Sequence, residues 1–236
     1  MRALIASALI ASALVLVGCG ADIDPQWQLD HDRIIAIRAT PPRITTGEES
    51  EIDALLGRIG EPPIEAEPTT AMVISPTSLA GSLMQRPTGW FVTAPGPMQL
   101  AAARTELGLA ADEAVPLRIR VTFPASDEGI NTGLKIVWLG EHSDNPVLDP
   151  VTIDGMVRTS TDAIVVAPAV DVRLSVPFDE SYVVNWLTSA GNMHDFDLAN
   201  AYLRVEPEDP QSGMLGVVVR DPLGGVAWRL WPISAQ

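Results

Sequence analysis

Cysteine is nearly absent. The 236 residues contain one, Cys19, so no disulfide can form within the chain and zinc centres built on cysteine clusters are excluded. There are three histidines, His31, His142 and His194. None sits in a His-Glu-x-x-His pattern, which removes the common helical zinc-protease site. No Gly-x-Ser-x-Gly occurs, since Ser78 and Ser82 flank Gly81 without the partner glycines, and there is no glycine-rich phosphate loop. Tyrosine and phenylalanine are scarce, two and four, so the six tryptophans stand out. Basic residues are outnumbered, 15 against 30 acidic, for a formal charge of −15. Nucleic acid and anionic headgroups repel so acidic a surface, so no nucleic-acid partner is expected. Beyond residue 18 no apolar run approaches the roughly 20 residues of a membrane helix.

What is present begins at the N-terminus. Arg2 is followed by an apolar stretch over 3–17 and by small residues at 18–20, the parts of a secretory signal. Leu16-Val17-Gly18-Cys19 resembles the lipobox of bacterial lipoproteins. The resemblance implies that the Cys19 thiol is acylated, that residues 1–18 are a signal peptide removed by cleavage, and that the body is tied to a membrane by its N-terminal lipid. It further implies no free thiol for catalysis. Gly20, in place of the Asp that marks inner-membrane retention in enteric lipoproteins, points to the outer membrane. Losing Arg2 with the signal takes the 15 basic residues to 14 against 30 acidic, a charge of −16. Residues 19–30 read as a polar tether.

The body carries the strand period of two. Leu117, Ile119, Val121 and Phe123 alternate with Arg118, Arg120 and Thr122; Val170, Val172, Leu174 and Val176 alternate with Asp171, Arg173 and Ser175. Weaker strands are expected at 34–39, 51–56, 72–75, 90–93, 134–139, 182–187, 201–205, 214–220 and 225–230. The 20 prolines and 18 glycines fall mostly between these runs, as turns between strands require. One segment, 98–107, is rich in helix formers behind Pro97, a favoured helix start; 77–85 is a weaker helix candidate. The turn-prone stretch 140–150 divides the chain. The expected fold is all-β: a β-sandwich module over 31–145 with a short helix near 98–107, and a second module over 151–236.

In the second half, Val184-Asn185-Trp186-Leu187-Thr188, the run from Gly213 through Val219 to Asp221, and Pro222-Leu223-Gly224-Gly225-Val226-Ala227-Trp228-Arg229 resemble the central-tryptophan strand, the long late strand and the final hairpin of immunoglobulin-like or PKD-like modules of bacterial surface proteins. In the first half, 29–39 leading into Pro41-Pro42, then Gly47-Glu48, resemble the opening of surface lipoproteins of large-genome bacteria. Asn145-Pro146-Val147 with 151–155 resembles the join between their modules. The resemblance implies the sandwich fold and no activity, because fold alone does not specify function.

The candidate chemistry is sparse. In His194-Asp195-Phe196-Asp197 a strand would turn Asp195 and Asp197 to one face, two carboxylates suited to Ca²⁺, with Glu206, Glu208 and Asp209 near in sequence; a solvated acidic loop is the plainer reading. His142 with Glu141 and Asp144 offers an inter-module cation clamp or a surface linker. His31 reads as a surface residue. Asp179 and Glu180 lie in a turn and do not oppose each other as a glycosidase pair would. Trp138 and Trp186 read as core. Trp228 and Trp231, three apart, face opposite sides of a strand; one is core, and the other either caps the bottom of the sandwich, the plainer reading, or is exposed to stack on a sugar or a partner. The chain is therefore expected to be a lipid-anchored cell-envelope protein without cofactor, a non-catalytic binding, adhesion or structural module with an envelope protein or polysaccharide as partner. The alternatives are Ca²⁺-dependent recognition of carbohydrate or protein, and an unrecognised hydrolase.

Overall fold

The computed structural model describes residues 25–126 and 129–236. Cys19 and the signal expected over 1–18 lie outside the described residues.

In the first half, short runs of alternating hydrophobicity fold into β1 (Arg33–Thr40), β2 (Arg43–Ile44), β3 (Glu49–Arg58), β4 (Glu61–Ala66), β5 (Thr70–Ser75), β6 (Leu83–Arg86), β7 (Gly89–Thr93), β8 (Val115–Pro124) and β9 (Ile130–Leu139). One sheet runs β1-β3-β7-β6 with β4 also on β3; the other runs β2-β9-β8-β5. Between them lies a core that takes the inward row of β8, Val115 to Phe123. Glu-Pro-Pro in β4 carried no strand signal. The strand forms because it borders only β3, where the missing proline N–H groups break no second ladder.

Helix α1 (Pro97–Leu107) follows its sequence cues: Pro97 opens it, Leu100 and Ala103 anchor it in the core, and Gly108 closes it at φ +69° with its N–H on the Arg104 and Thr105 carbonyls. The weaker candidate at 77–85 forms only a 3₁₀ turn over Thr77–Ser82, after which the chain enters β6. The Ser78 hydroxyl and the Thr77 and Ser78 N–H groups hydrogen-bond to the Glu106 carboxylate of α1 and hold its pKa down at about 2.

The second half comprises β10 (Val151–Ile153), β11 (Met156–Arg158), β12 (Ile164–Val166), β13 (Val172–Ser175), β14 (Val183–Thr188), β15 (Asn192–His194), β16 (Asn200–Arg204), β17 (Ser212–Arg220) and β18 (Val226–Ala235). They form the sheets β11-β10-β13-β16-β15 and β12-β18-β17-β14. Residues 151–155 are no join between modules. They enter a hairpin whose turn, Asp154 and Gly155 at φ +50° and +73°, belongs to the second sandwich. Trp186 and Trp231 are wholly buried at its centre, their indole N–H groups donating to the carbonyls of Leu198 (3.1 Å) and Thr159 (2.6 Å). In both sandwiches a two- or three-residue strand pairs in parallel with the end of the last strand, β2 with β9 and β12 with β18. The chain is thus all-β, two immunoglobulin-like sandwiches with one short helix in the first.

Residues 25–30 do not form a free tether. Gln28 pairs with Thr188, the Thr188 N–H donates to the Trp27 carbonyl, the Leu29 N–H donates to the Thr188 carbonyl, and Leu29 is wholly buried. Trp27 and Leu29 alternate with polar neighbours, and that short apolar pair is enough to make a strand edge of this segment.

Candidate functional site

The two sandwiches meet across a buried seam. Leu29, Ala36 of β1 and Leu55 of β3 pack against Leu187 of β14, Val218 of β17, and Val226 and Trp228 of β18. This explains why β17 and β18 are apolar on both faces: Leu215, Val217, Trp231 and Ile233 enter the second core while Val218 and Trp228 enter the seam. Each large side chain so buried is worth roughly 1.5–3 kcal/mol. Polar groups fasten the seam as well. The Asn145 amide donates to the Ala39 carbonyl and accepts the Val226 N–H, at 2.9 and 2.8 Å. Trp228 donates its indole N–H to Glu65 (2.8 Å), and the Arg38 guanidinium lies 3.8 Å over its ring. Trp228 and Trp231 do take opposite faces, yet Trp228 is only 9% exposed. Trp228 is thus buried, as the plainer reading has it, but by the other module, and offers no exposed ring for a sugar.

Beside the seam opens a cleft of about 630 Å³. Its walls are Ile34 and Ile37 of β1, Leu134, Lys135 and Trp138 of β9, and the turn 221–225 joining β17 to β18. β9 borders the cleft because that edge of the strand is paired only at Trp138 and Leu139, by β2. Gly133 allows the close approach of β1: a Cβ there would lie 2.5 Å from Ile37 Cδ1. The turn is built by Asp221, whose Oδ1 accepts the N–H groups of Leu223 and Gly225 at 2.8 Å, with Gly224 at φ +92°. Gly224 has no side chain to separate it from the Trp138 ring.

Lys135 is the only lysine in the chain. It occupies the inward row of β9, opposite Ile119, and is 6% exposed. Its ammonium donates to the Gly224 carbonyl at 2.9 Å and, among the described residues, forms no ion pair. Burial pulls its pKa down from 10.5 to about 8, opposed by the charge of Asp221 and reinforced by that of Arg220. Arg220, at the floor of the cleft, donates to Asn185 Oδ1 (2.7 Å) and to the Ile35 carbonyl (2.8 Å). Among the described residues it has no carboxylate partner, and burial lowers its pKa. Behind it lies a second cavity of about 230 Å³ reaching Asn185 and Phe196. The cleft therefore carries two cationic side chains and one carboxylate, Asp221, in a chain of net charge −15.

The structure places the residues singled out in the sequence elsewhere. β15 ends at His194, Asp195 turns at φ +56°, and Asp195 and Asp197 are exposed in the following turn, so no strand sets them on one face. Glu206 pairs with Arg204, and Asp209 accepts from Asn192 and from the Glu206 N–H. Among the described residues no three His, Cys, Asp or Glu side chains gather as a metal site. His142 is held by Glu48 at 3.0 Å, which raises its pKa, and Glu141 pairs with Arg43. His142 and Glu141 thus find their partners, Glu48 and Arg43, on the first sandwich. His31 is half-buried beside the seam. Asp179 accepts from the Ser181 N–H and hydroxyl, a local turn cap. Trp138, expected in the core, faces the cleft with Arg43 5.5 Å from its ring centre. Both faces of 134–139 are apolar apart from Lys135, so alternation alone does not say which face is core. The lone lysine of the chain, in an otherwise apolar run, is the signal that could have marked the cleft.

No family model matches the chain, and no curated protein does. Among solved structures it is similar to murine CEACAM1b, at 10% identity over 85% of this chain and 98% of that one, with a TM-score of 0.28. It is also similar to the two tandem V-type regions of VCBP3, a v-region-containing chitin binding protein, at 10% identity over 85% and 99% with a TM-score of 0.33. A third likeness is to the fibronectin(III)-like modules of Clostridium thermocellum CbhA, at 11% over 85% and 94% with a TM-score of 0.25. All are β-sandwich modules, and their ligands say nothing of this chain's.

Proposed function

We propose that this chain is a lipid-anchored protein of the cell envelope, held through Cys19 at the outer membrane, whose two sandwiches act as one non-catalytic binding body with the cleft at their junction as its recognition surface. The observation that carries the binding part is the seam. A buried apolar contact between modules, fastened by Trp228, Asn145 and Arg220, holds the two walls of the cleft in one geometry, and preorganised walls cost a ligand little on binding. The anchoring part is supported by Leu16-Val17-Gly18-Cys19. Because Trp27 already packs on the body, a lipid on Cys19, eight residues earlier, would hold that body within about 30 Å of it. The body would lie close to its membrane, kept off anionic headgroups by its own charge.

The test of anchoring is detergent-phase partitioning of the full chain, expressed in a bacterium that processes lipoproteins, beside a Cys19→Ala variant. The wild-type protein should enter the detergent phase and the variant the aqueous phase. A variant that still partitions into detergent would overturn the anchor.

A further inference from the structure

We propose that the cleft binds a small organic carboxylate with an apolar body, the carboxylate read by Lys135 and Arg220 and the body laid against Trp138, Ile34 and Ile37. This rests on the reading of the cleft as a recognition surface and not on the lipid anchor.

Three observations converge on it. The first is charge. Lys135 and Arg220 border one cleft, and among the described residues neither has a carboxylate within ion-pair distance, although the chain carries 30 acidic residues. A buried cation without an anion is costly to the fold, and here that cost shows as the downward pull on Lys135. An anion arriving in the cleft relieves it. The second is donor capacity. An ammonium has three N–H donors and a guanidinium five. Lys135 gives one to Gly224, and Arg220 bonds Asn185 and Ile35 through two of its nitrogens, which leaves donors on both for carboxylate oxygens. The third is shape. Much of the remaining wall is isoleucine, leucine and the Trp138 indole, suited to an alkyl or aromatic body. A phosphate or sulfate would bring more charge than the two cations offset beside Asp221, and it has no apolar part to fill the walls.

The charged groups around Lys135 are Asp221 in the turn, Arg220 on β17 and Asp53 on β3. Asp53 is already paired with Arg38, and Asp221 Oδ1 is engaged in the turn. A bound carboxylate therefore acts on Lys135 as the added negative charge, and binding should favour its protonated form and weaken as pH rises past the Lys135 midpoint.

The singular lysine gives a direct assay. Protein labelled with ¹³Cε-lysine carries one lysine signal, which is titrated with phenylacetate and octanoate and, as controls, with phenylacetamide and phenethylamine. The carboxylates should shift that signal saturably and move its pH midpoint upward, while the amide and amine leave it in place. Lys135→Met, followed by thermal shift, should weaken carboxylate affinity at least about tenfold, the loss of one charge-assisted hydrogen bond. Trp138→Ala, which leaves both cations, should weaken binding of phenylacetate more than that of acetate. If the amide or amine binds as well as the carboxylate, the ligand class is wrong while the recognition surface stands. If no probe moves the signal or the melting temperature at millimolar concentration, both readings fall. Unchanged phenylacetate affinity in Lys135→Met likewise overturns the proposal.

Discussion

Replacing Lys135 by methionine tests the centre of the cleft through stability. A lysine whose pKa falls from 10.5 in the unfolded chain to about 8 in the fold binds its proton less well when folded. The difference of about 2.5 units corresponds to about 3 kcal/mol. Below pH 8 both states are protonated and the folded protein carries the whole penalty. Between pH 8 and 10.5 the folded state gives up the proton first, the unfolded state holds more protons, and stability rises with pH. Above 10.5 the penalty is gone. Methionine keeps the length of the stem without the charge, so Lys135→Met is expected to be at least as stable as wild type at pH 7. Wild type should then gain about 3 kcal/mol on the variant between pH 7 and 10.5. With an m-value of about 2–3 kcal/mol per molar for a body of this size, that is about 1 M in the urea midpoint. Urea unfolding of the two proteins across this range reads the difference, in which titrations common to both cancel. A wild-type-minus-variant difference that stays flat with pH would refute the reasoning, because it would mean that Lys135 keeps its proton as easily in the fold as in water.

Other outcomes follow from the same geometry. Leu29→Ala should cost about 2–5 kcal/mol in urea unfolding, the price of emptying a buried leucine site in the seam; a free tether would show no change. Gly191→Ala should cost about 2 kcal/mol or more, since residue 191 sits at φ +77° and a Cβ would lie 2.4 Å from the Arg204 carbonyl oxygen; a fully stable alanine variant would contradict that backbone. Glu48→Gln should lower the His142 midpoint measured by proton NMR, where only three histidines give ring signals. The Glu48–His142 pair raises the folded midpoint, so whatever it adds to stability is present below the unfolded value of about 6.5 and is lost as pH rises through the folded one. An unmoved His142 midpoint would sink that pairing.

Much of the fold was legible because one face of each strand is buried and the other wet. Leu117 to Phe123 announced β8 by alternation alone, and the helix formers behind Pro97 announced α1. Strands with two buried faces or with prolines were harder. β4 shows Glu-Pro-Pro and survives only because it is an edge. The run 134–139 is apolar on both faces, so its period did not say which face was core, and Trp138 was assigned to the wrong one. Nor did sequence spacing find the cleft, because its walls are drawn from residues 34–37, 132–138 and 220–226, far apart along the chain. The acidic run at 195–197 was conspicuous in sequence and is merely a turn in space.

By itself the sequence determined an acidic body built of period-two strands. These are local and compositional properties, set by the strand repeat of two and by the sum of charges. Only the tertiary structure decided where Trp228, Leu29 and Lys135 stand. Trp228 looks outward on its own sandwich and is buried because a second sandwich covers it. Leu29 lies in a polar stretch and becomes core because Thr188 offers it a strand edge. Lys135 is one charge among 45 in composition and the only lysine, and it acquires its low pKa from burial beside Gly224 and Arg220. Each outcome depends on what packs against a residue from a distant part of the chain, which no local pattern records.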